Sequence, residues 1–188
     1  MAEVKVLIKG FTNTDTKDDN EAEVTSCTTA LVKDGDFIIV TDPGVLADQK
    51  ILKDALAKEG LTINDVTHVF ITHPHMDHYR NIGMFPKAIS LDYTGIWTGN
   101  KYNDLTWDLT PSISFILTPG HKDDSLTMLV KTEQGTIAIA GDVWWRENYP
   151  QEDPYASDQK LLEESRKKIL KIADYIVPGH GDMFKVSK

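Results

Sequence analysis

Four side chains able to bind a metal crowd into six positions, His73-x-His75-x-Asp77-His78. Imidazole and carboxylate together suit zinc, iron or manganese. Three histidines and an aspartate this close are hard to explain by packing alone. The run before them, Val69-Phe70-Ile71-Thr72, is apolar and largely β-branched and predicts a buried strand. Pro74 cannot continue a sheet ladder, so the strand stops there and hands over to a loop. The ligand types therefore sit at a strand's C-terminal end, aimed by a rigid sheet. His68 lies in the same run but away from the cluster, and reads as a packed structural histidine rather than a ligand.

This stretch resembles the signature of the metallo-β-lactamase-fold superfamily. The family's other motifs follow in order: Thr41-Asp42-Pro43-Gly44, Thr118-Pro119-Gly120-His121, Ala140-Gly141-Asp142 and Val177-Pro178-Gly179-His180-Gly181. From Ala140-Gly141-Asp142 to Gly181 the chain looks most like the metallo-β-lactamase domain-containing protein 1 group. The resemblance implies an αββα sandwich of two mixed β-sheets flanked by helices. It also implies a dinuclear site. One ion would take His73, His75 and His121; the other would take Asp77, His78 and His180; Asp142 would bridge them. The expected cofactor is two Zn2+, with iron or manganese as alternatives. Asp77 would both ligate and orient a shared hydroxide, and Asp42 would support the ligands from behind.

On that basis the chain is expected to be a metallo-hydrolase acting on an ester, thioester, lactone or phosphodiester, with a small molecule or RNA as substrate. A mononuclear iron enzyme of the persulfide dioxygenase type is one alternative, and a ribonuclease with little other hydrolase activity is another. A mononuclear site would leave Asp77, His78 and His180 without metal work. Class B β-lactamases commonly place a cysteine ligand where Asp142 stands, and Cys27 lies elsewhere, so penicillinase activity is not the expected main role. No insertion supplies the RNA-gripping arm of the long tRNA-processing relatives. The loop after Asp142 carries Trp144, Trp145 and Arg146, which offer apolar faces and a planar fork for a carboxylate or phosphate. They are the expected substrate residues, with core packing as the competing role for each ring.

Strands must deliver each of these residues. Val4-Lys5-Val6-Leu7-Ile8 predicts the first. Residues 30–32 and 37–40 flank an Asp-Gly step and predict a hairpin ending at Asp42. Residues 113–118 lead to His121, residues 136–140 to Asp142, and residues 175–177 to His180. Apolar spacing predicts helices over 47–58 and 157–173, the second with Leu161, Ser165, Ile169 and Ile172 on one face. A short helix is expected over 79–85. The acidic segment from Phe11 to Cys27 reads as a surface loop or, through the resemblance, a flap over the metals. Gly120 and Gly179, beside histidines, fit turns with unusual backbone angles.

The chain has 188 residues, enough for one sizeable core, and residues 1–188 are expected to form a single domain. A net charge of -9 argues against a broad nucleic-acid-binding face, which needs clustered Lys and Arg. No apolar run approaches the ~20 residues needed to span a bilayer, so no membrane partner is expected. A single cysteine and no signal-peptide pattern at the N-terminus fit a cytoplasmic location. Nothing marks an obligate protein partner, and the oligomeric state is left open.

Overall fold

Residues 1–187 are described by a computed structural model. Strand β1 (Glu3–Ile8) is followed by the two-residue strands β2 (Phe11–Thr12) and β3 (Thr25–Ser26), which pair with each other. The predicted hairpin is β4 (Thr29–Asp34) and β5 (Phe37–Thr41), turning at Gly35 with φ of 58°. Helix α1 (Lys50–Lys58) and strand β6 (His68–Phe70) come next, then the single-turn helix α2 (Met76–Tyr79). Strands β7 (Ile89–Asp92), β8 (Gly95–Thr98) and β9 (Lys101–Asn103) complete a seven-stranded sheet in the order β1-β4-β5-β6-β7-β8-β9. The second sheet has β10 (Ile113–Leu117), β11 (Leu126–Thr132) and β12 (Gly135–Gly141). Helix α3 (Gln159–Ile172) crosses over to β13 (Tyr175–Pro178), and β14 (Phe184–Lys185) closes the edge.

Alternation along the strands builds three apolar layers. Phe70 faces the space between the sheets, where its ring centroid lies 5.2 Å from that of Phe115. Its neighbours Val69 and Ile71 point the other way, onto Leu52 and Leu56 of α1. In β12, Ile137 and Ile139 enter the inter-sheet core while Ala138 and Ala140 face Leu162 and Ile169 of α3. A period of two along each strand thus gives helix, sheet, sheet and helix. The expected αββα sandwich is observed.

Strands β5, β6 and β7 are parallel, as are β12 and β13. Strand β10 runs with β12, since both are antiparallel to β11. The C-terminal ends of β5, β6, β10, β12 and β13 therefore emerge where the two sheets meet. Two backbone bonds join the sheets there, Leu126 N–H to Thr72 C=O at 2.8 Å and Thr28 N–H to Gly179 C=O at 2.6 Å.

Several local expectations change. Helix α3 starts two residues later than expected, capped by the Asp158 carboxylate on the amides of Lys160 and Leu161. Its buried face is Leu162, Ser165, Arg166 and Ile169, whereas Leu161 and Ile172 are exposed. Arg166 turns the helix this way. Its guanidinium donates to the carbonyls of Val143, Pro150 and Gln151, so burying it satisfies the loop that follows β12. Helix α1 begins at Lys50 and leaves Ile51 exposed. The short helix expected over 79–85 is instead α2, starting inside the ligand motif, and a separate tight turn at Ile82–Met84. Trp97, Tyr102 and Trp107 stand exposed. No described helix is long and apolar enough to cross a membrane.

Candidate metal centre

The histidine motif opens immediately past β6. His75 takes extended backbone (φ -81°, ψ 138°) just before α2, and the helix's only turn carries Asp77 and His78 inward. Gly141 leaves β12 with φ of 52°, a left-handed angle that suits glycine, and a Cβ there would meet the Thr72 hydroxyl at 2.4 Å. Gly120 is also left-handed, at φ of 131°. Gly179 corrects the expectation of an unusual angle. It is not among the positive-φ residues; instead, a Cβ there would lie 1.8 Å from Asp142 Oδ1. Close approach, not torsion, requires glycine before His180.

The ligand-type side chains meet in two groups, His73, His75, His121 and Asp142 in one and Asp77, His78 and His180 in the other. Within each, one donor atom per residue lies within 4.8 Å of the rest. Asp142 stands between them. Its Oδ2 is 3.4 Å from His121 Nε2 and 3.3 Å from His180 Nε2, and its Oδ1 is 3.2 Å from His78 Nε2. Asp77 Oδ2 is 3.7 Å from His180 Nε2.

Partners at Nδ1 fix four of the five rings. His78 Nδ1–H donates to Asp42 at 2.9 Å, His121 Nδ1–H to Asp153 at 2.6 Å, and His180 Nδ1–H to the Ser26 carbonyl at 3.0 Å. Thr72 gives its own proton to Asp42, so its oxygen accepts from His73 Nδ1 at 3.1 Å. A proton held at Nδ1 leaves Nε2 as the lone-pair atom, the arrangement of a carboxylate-supported metal ligand. His75 differs, bringing Nδ1 to 3.0 Å from His121 Nε2.

The protein alone does not satisfy this site. His73 Nε2 is buried without a hydrogen-bond partner, and His78 Nε2 and Asp142 Oδ1, though 3.2 Å apart, make no well-aligned hydrogen bond. Orphaned polar atoms of this kind are costly unless something else occupies them. Burial keeps His73 well below the usual histidine range and pushes His75 down to about 4, with neighbouring imidazoles adding to both effects. Burial also opposes protonation of His78 and His180, but Asp142 outweighs it, aided by Asp42 at His78 and Asp77 at His180, and both are raised. Asp142 is held well below the carboxylate range against its own burial penalty, by His180, His78 and His121. The raised proton affinity of His78 and His180 marks places where positive charge is favoured, and the donor set fits metal ions.

A cavity of about 210 Å³ opens onto both groups, reaching His75, Asp77, His121, Asp142 and His180. Asp42 lies behind His78 as expected. His68 stays out of the cluster, its ring 5.0 Å from Phe37. Of the three expected substrate residues only Trp145 lines the cavity. Trp144 packs into the core under α3, and Arg146 pairs with Asp15 while lying 4.0 Å over the Tyr149 ring. The structure does not bring these two to the cavity. The 11–27 segment does come to it, through Thr12, Thr14, Glu23 and Thr25. Thr25 donates to Asp77 Oδ2 at 3.1 Å.

Sequence reading missed Asp153 and Thr25, and it placed Glu23 and Tyr155 only within the two loops expected near the site. Asp153 is 32 positions from His121 and carries no ligand-like spacing. The only available signal was that buried histidine ligands need an acceptor at the second nitrogen.

Comparison with known proteins agrees with this geometry. Residues 22–97 match the family model described as the metallo-β-lactamase superfamily. The Xenopus laevis metallo-β-lactamase domain-containing protein 1 is 33% identical over 166 residues, covering 82% of this chain and 70% of that protein. For the human protein of that name the identity is 35%, covering 79% of this chain but only 59% of the relative's length. Among solved structures, AidC, a dizinc quorum-quenching lactonase in complex with a homoserine product, superposes with a TM-score of 0.63 at 20% identity, covering 88% of this chain and 76% of that one. The chain belongs to the metallo-β-lactamase superfamily of metallo-hydrolases.

Proposed function

We propose that the chain hydrolyses small ester, thioester or lactone substrates with two divalent ions, zinc in the first instance. The observation that carries this reading is the pair of donor groups on either side of Asp142, with His73 and His78 Nε2 buried without hydrogen bonds and His75, Asp77, His121, Asp142 and His180 lining a small cavity. His73, His75 and His121 would hold one ion, Asp77, His78 and His180 the other, and Asp142 both. When bound, the ions supply Lewis-acid polarisation of the scissile carbonyl and bring water ionisation toward neutral pH. A single iron would leave the second group's orphaned His78 Nε2 unexplained, which weighs against the dioxygenase alternative. The lactonase activity of AidC on a similar fold is a precedent for the reaction class.

The chain's own residues do the positioning. Asp42 and Asp153 hold the His78 and His121 rings at fixed tautomers, so little reorganisation accompanies the reaction. Asp77 keeps one oxygen engaged by the Thr25 hydroxyl and lies at the cavity wall, able to accept a proton from the nucleophile. Trp145 closes one side with an apolar face and excludes water.

The test is metal analysis combined with a substrate panel. Protein loaded with zinc should hold two ions and cleave at least one ester, thioester or lactone; a chelator should abolish turnover and zinc should restore it. Cleavage of RNA alone, or a single iron with oxygen consumption, would overturn the reading.

A further inference from the structure

Six side chains line the cavity besides the ligand set: Thr12, Thr14, Glu23, Thr25, Trp145 and Tyr155. Among them Glu23 is the only one charged at neutral pH. No lysine or arginine among the described residues contributes to the lining. The Arg146 guanidinium is held away from the lining by Asp15 and by the face of Tyr149. Lys122 is felt electrostatically at His75 but is not part of the lining.

The uncharged part of the wall has its own character. Trp145 and Tyr155 stack with ring centroids 5.9 Å apart and planes inclined by 24°. The Tyr155 hydroxyl donates to Glu23 Oε2, which orients the carboxylate and links it to the aromatic pair. A carboxylate beside the exposed Tyr155 ring, with the buried Trp145 ring stacked on it, is the chemistry that holds an alkylammonium, by ion pairing and by attraction to the tyrosine ring. An anionic group at the same place would meet a like charge, which selects against it.

We propose that Glu23, with Trp145 and Tyr155, selects substrates whose non-reacting end carries an alkylammonium cation. This rests on the hydrolase reading above and names its substrate class as small cationic acyl esters, thioesters or lactones. The volume of about 210 Å³ suits an acyl group of a few carbons beyond the reacting carbonyl. Polyanionic chains are disfavoured by the same wall. Glu23 and Tyr155 are largely solvent-exposed, so the selectivity is modest, roughly three- to tenfold.

The experiment uses the zinc-loaded chain and three phenyl esters of matched shape, made from trimethylammonio-butyrate, its neutral tert-butyl isostere and glutarate. Wild type should show the highest kcat/KM for the cationic ester and the lowest for the anionic one. Glu23→Gln should bring the cationic-to-neutral ratio to about one, whereas Asp19→Asn, which removes a charge from the same segment outside the cavity, should keep the wild-type ratio. Binding of the free acids, followed by tryptophan fluorescence, gives a readout independent of turnover. The trimethylammonio acid should bind wild type more tightly than its isostere, and the difference should vanish in Glu23→Gln. Equal ratios in wild type, preference for glutarate, or a preference that persists in Glu23→Gln would overturn the proposal. If no ester turns over but the binding difference appears and is lost in Glu23→Gln, the hydrolase reading fails and the cation site stands.

Discussion

Replacing Asp153 by asparagine isolates one carboxylate's contribution to metal affinity. Asp153 and His121 are both buried, and their contact is 2.6 Å, a short charge-assisted bond. The other oxygen of Asp153 accepts the Tyr155 amide at 2.9 Å, and its backbone amide donates to Gln159 at 3.0 Å. Asparagine can keep one acceptor and the backbone bond, so the loop before α3 retains its path. What it loses is the negative charge that makes the His121 Nε2 lone pair more basic. Supporting partners of this kind contribute roughly 10- to 100-fold in metal affinity, or about 1.4–2.8 kcal/mol at about 1.4 kcal/mol per decade. Zinc competition against a chromophoric chelator should show one ion weakened by that factor and the other little changed, because His121 belongs to only one group. The melting temperature of the metal-free variant should stay close to wild type. Unchanged affinity for both ions would refute the argument that Asp153 tunes His121. Equal weakening of both would show that the loop, not the ring, had been disturbed.

Asp142→Ala should reduce metal content in both groups, measured by atomic emission, since Asp142 approaches His78, His121 and His180 alike; near-full content would remove its bridging place. Trp144→Ala should cost roughly 3–5 kcal/mol in denaturant unfolding because the ring is buried under α3; Arg146→Ala, whose side chain lies outside the cavity, should leave kcat/KM within twofold (about 0.4 kcal/mol). In metal-free protein, His75 has a folded value of about 4 against an ordinary 6.5, so the unfolded chain takes up its proton first on acidification. His75's contribution to stability should therefore fall from pH 6.5 toward about 4, against the opposite trend from the raised His78 and His180, and His75→Gln should lose less than wild type over that window in urea titrations. Removing metal should speed hydrogen exchange at the Leu126 and Thr28 amides, which join the sheets beside the site, more than at Val130 in mid-strand.

The strands and the ligand types at their ends were legible in local sequence, whereas the αββα sandwich and the grouping of the ligands followed from the resemblance to the superfamily. An apolar strand followed by Pro or Gly and then a histidine or aspartate repeats at His121, Asp142 and His180, the strand before His73 runs straight into His73-Pro74-His75, and strand alternation fixes which way each run faces. Other features depended on partners far along the chain. The rotation of α3 is decided by Arg166 reaching the carbonyls of Val143, Pro150 and Gln151, and no helical spacing encodes those acceptors. Trp144 and Trp145 are adjacent and chemically alike, yet one enters the core and the other the cavity wall. The loop's path makes that choice. The roles of Asp153 and Glu23 were invisible for a similar reason: an isolated acidic residue in a polar stretch looks the same whether it supports a ligand or faces water.

The division of labour in this chain follows from where its rigidity lies. The ligand-type residues follow the ends of strands held in sheet ladders, with Asp77 and His78 on the single turn of α2 just past β6, and most have their second nitrogen or oxygen fixed by a partner. The residues that would read the rest of a substrate belong to two connecting segments, 11–27 and 143–157. The later segment is anchored from below by Arg166 and Asp153, so Trp145 is presented by a fixed loop. The earlier segment is held at its C-terminal end, where Thr25 and Ser26 meet Asp77 and His180, but its 13–24 stretch reaches across the cavity through Asp15 to Arg146 and Glu23 to Tyr155. The first is an exposed ion pair and the second an exposed hydrogen bond from a phenol to a carboxylate, each contributing about 1 kcal/mol. Substitutions in 13–24 can therefore change what the cavity accepts without disturbing the strand ends that hold the metals. A charge reversal at Glu23 would alter selectivity through a residue that no ligand touches, while the same change at Asp42 would act on His78 and hence on the metal site itself.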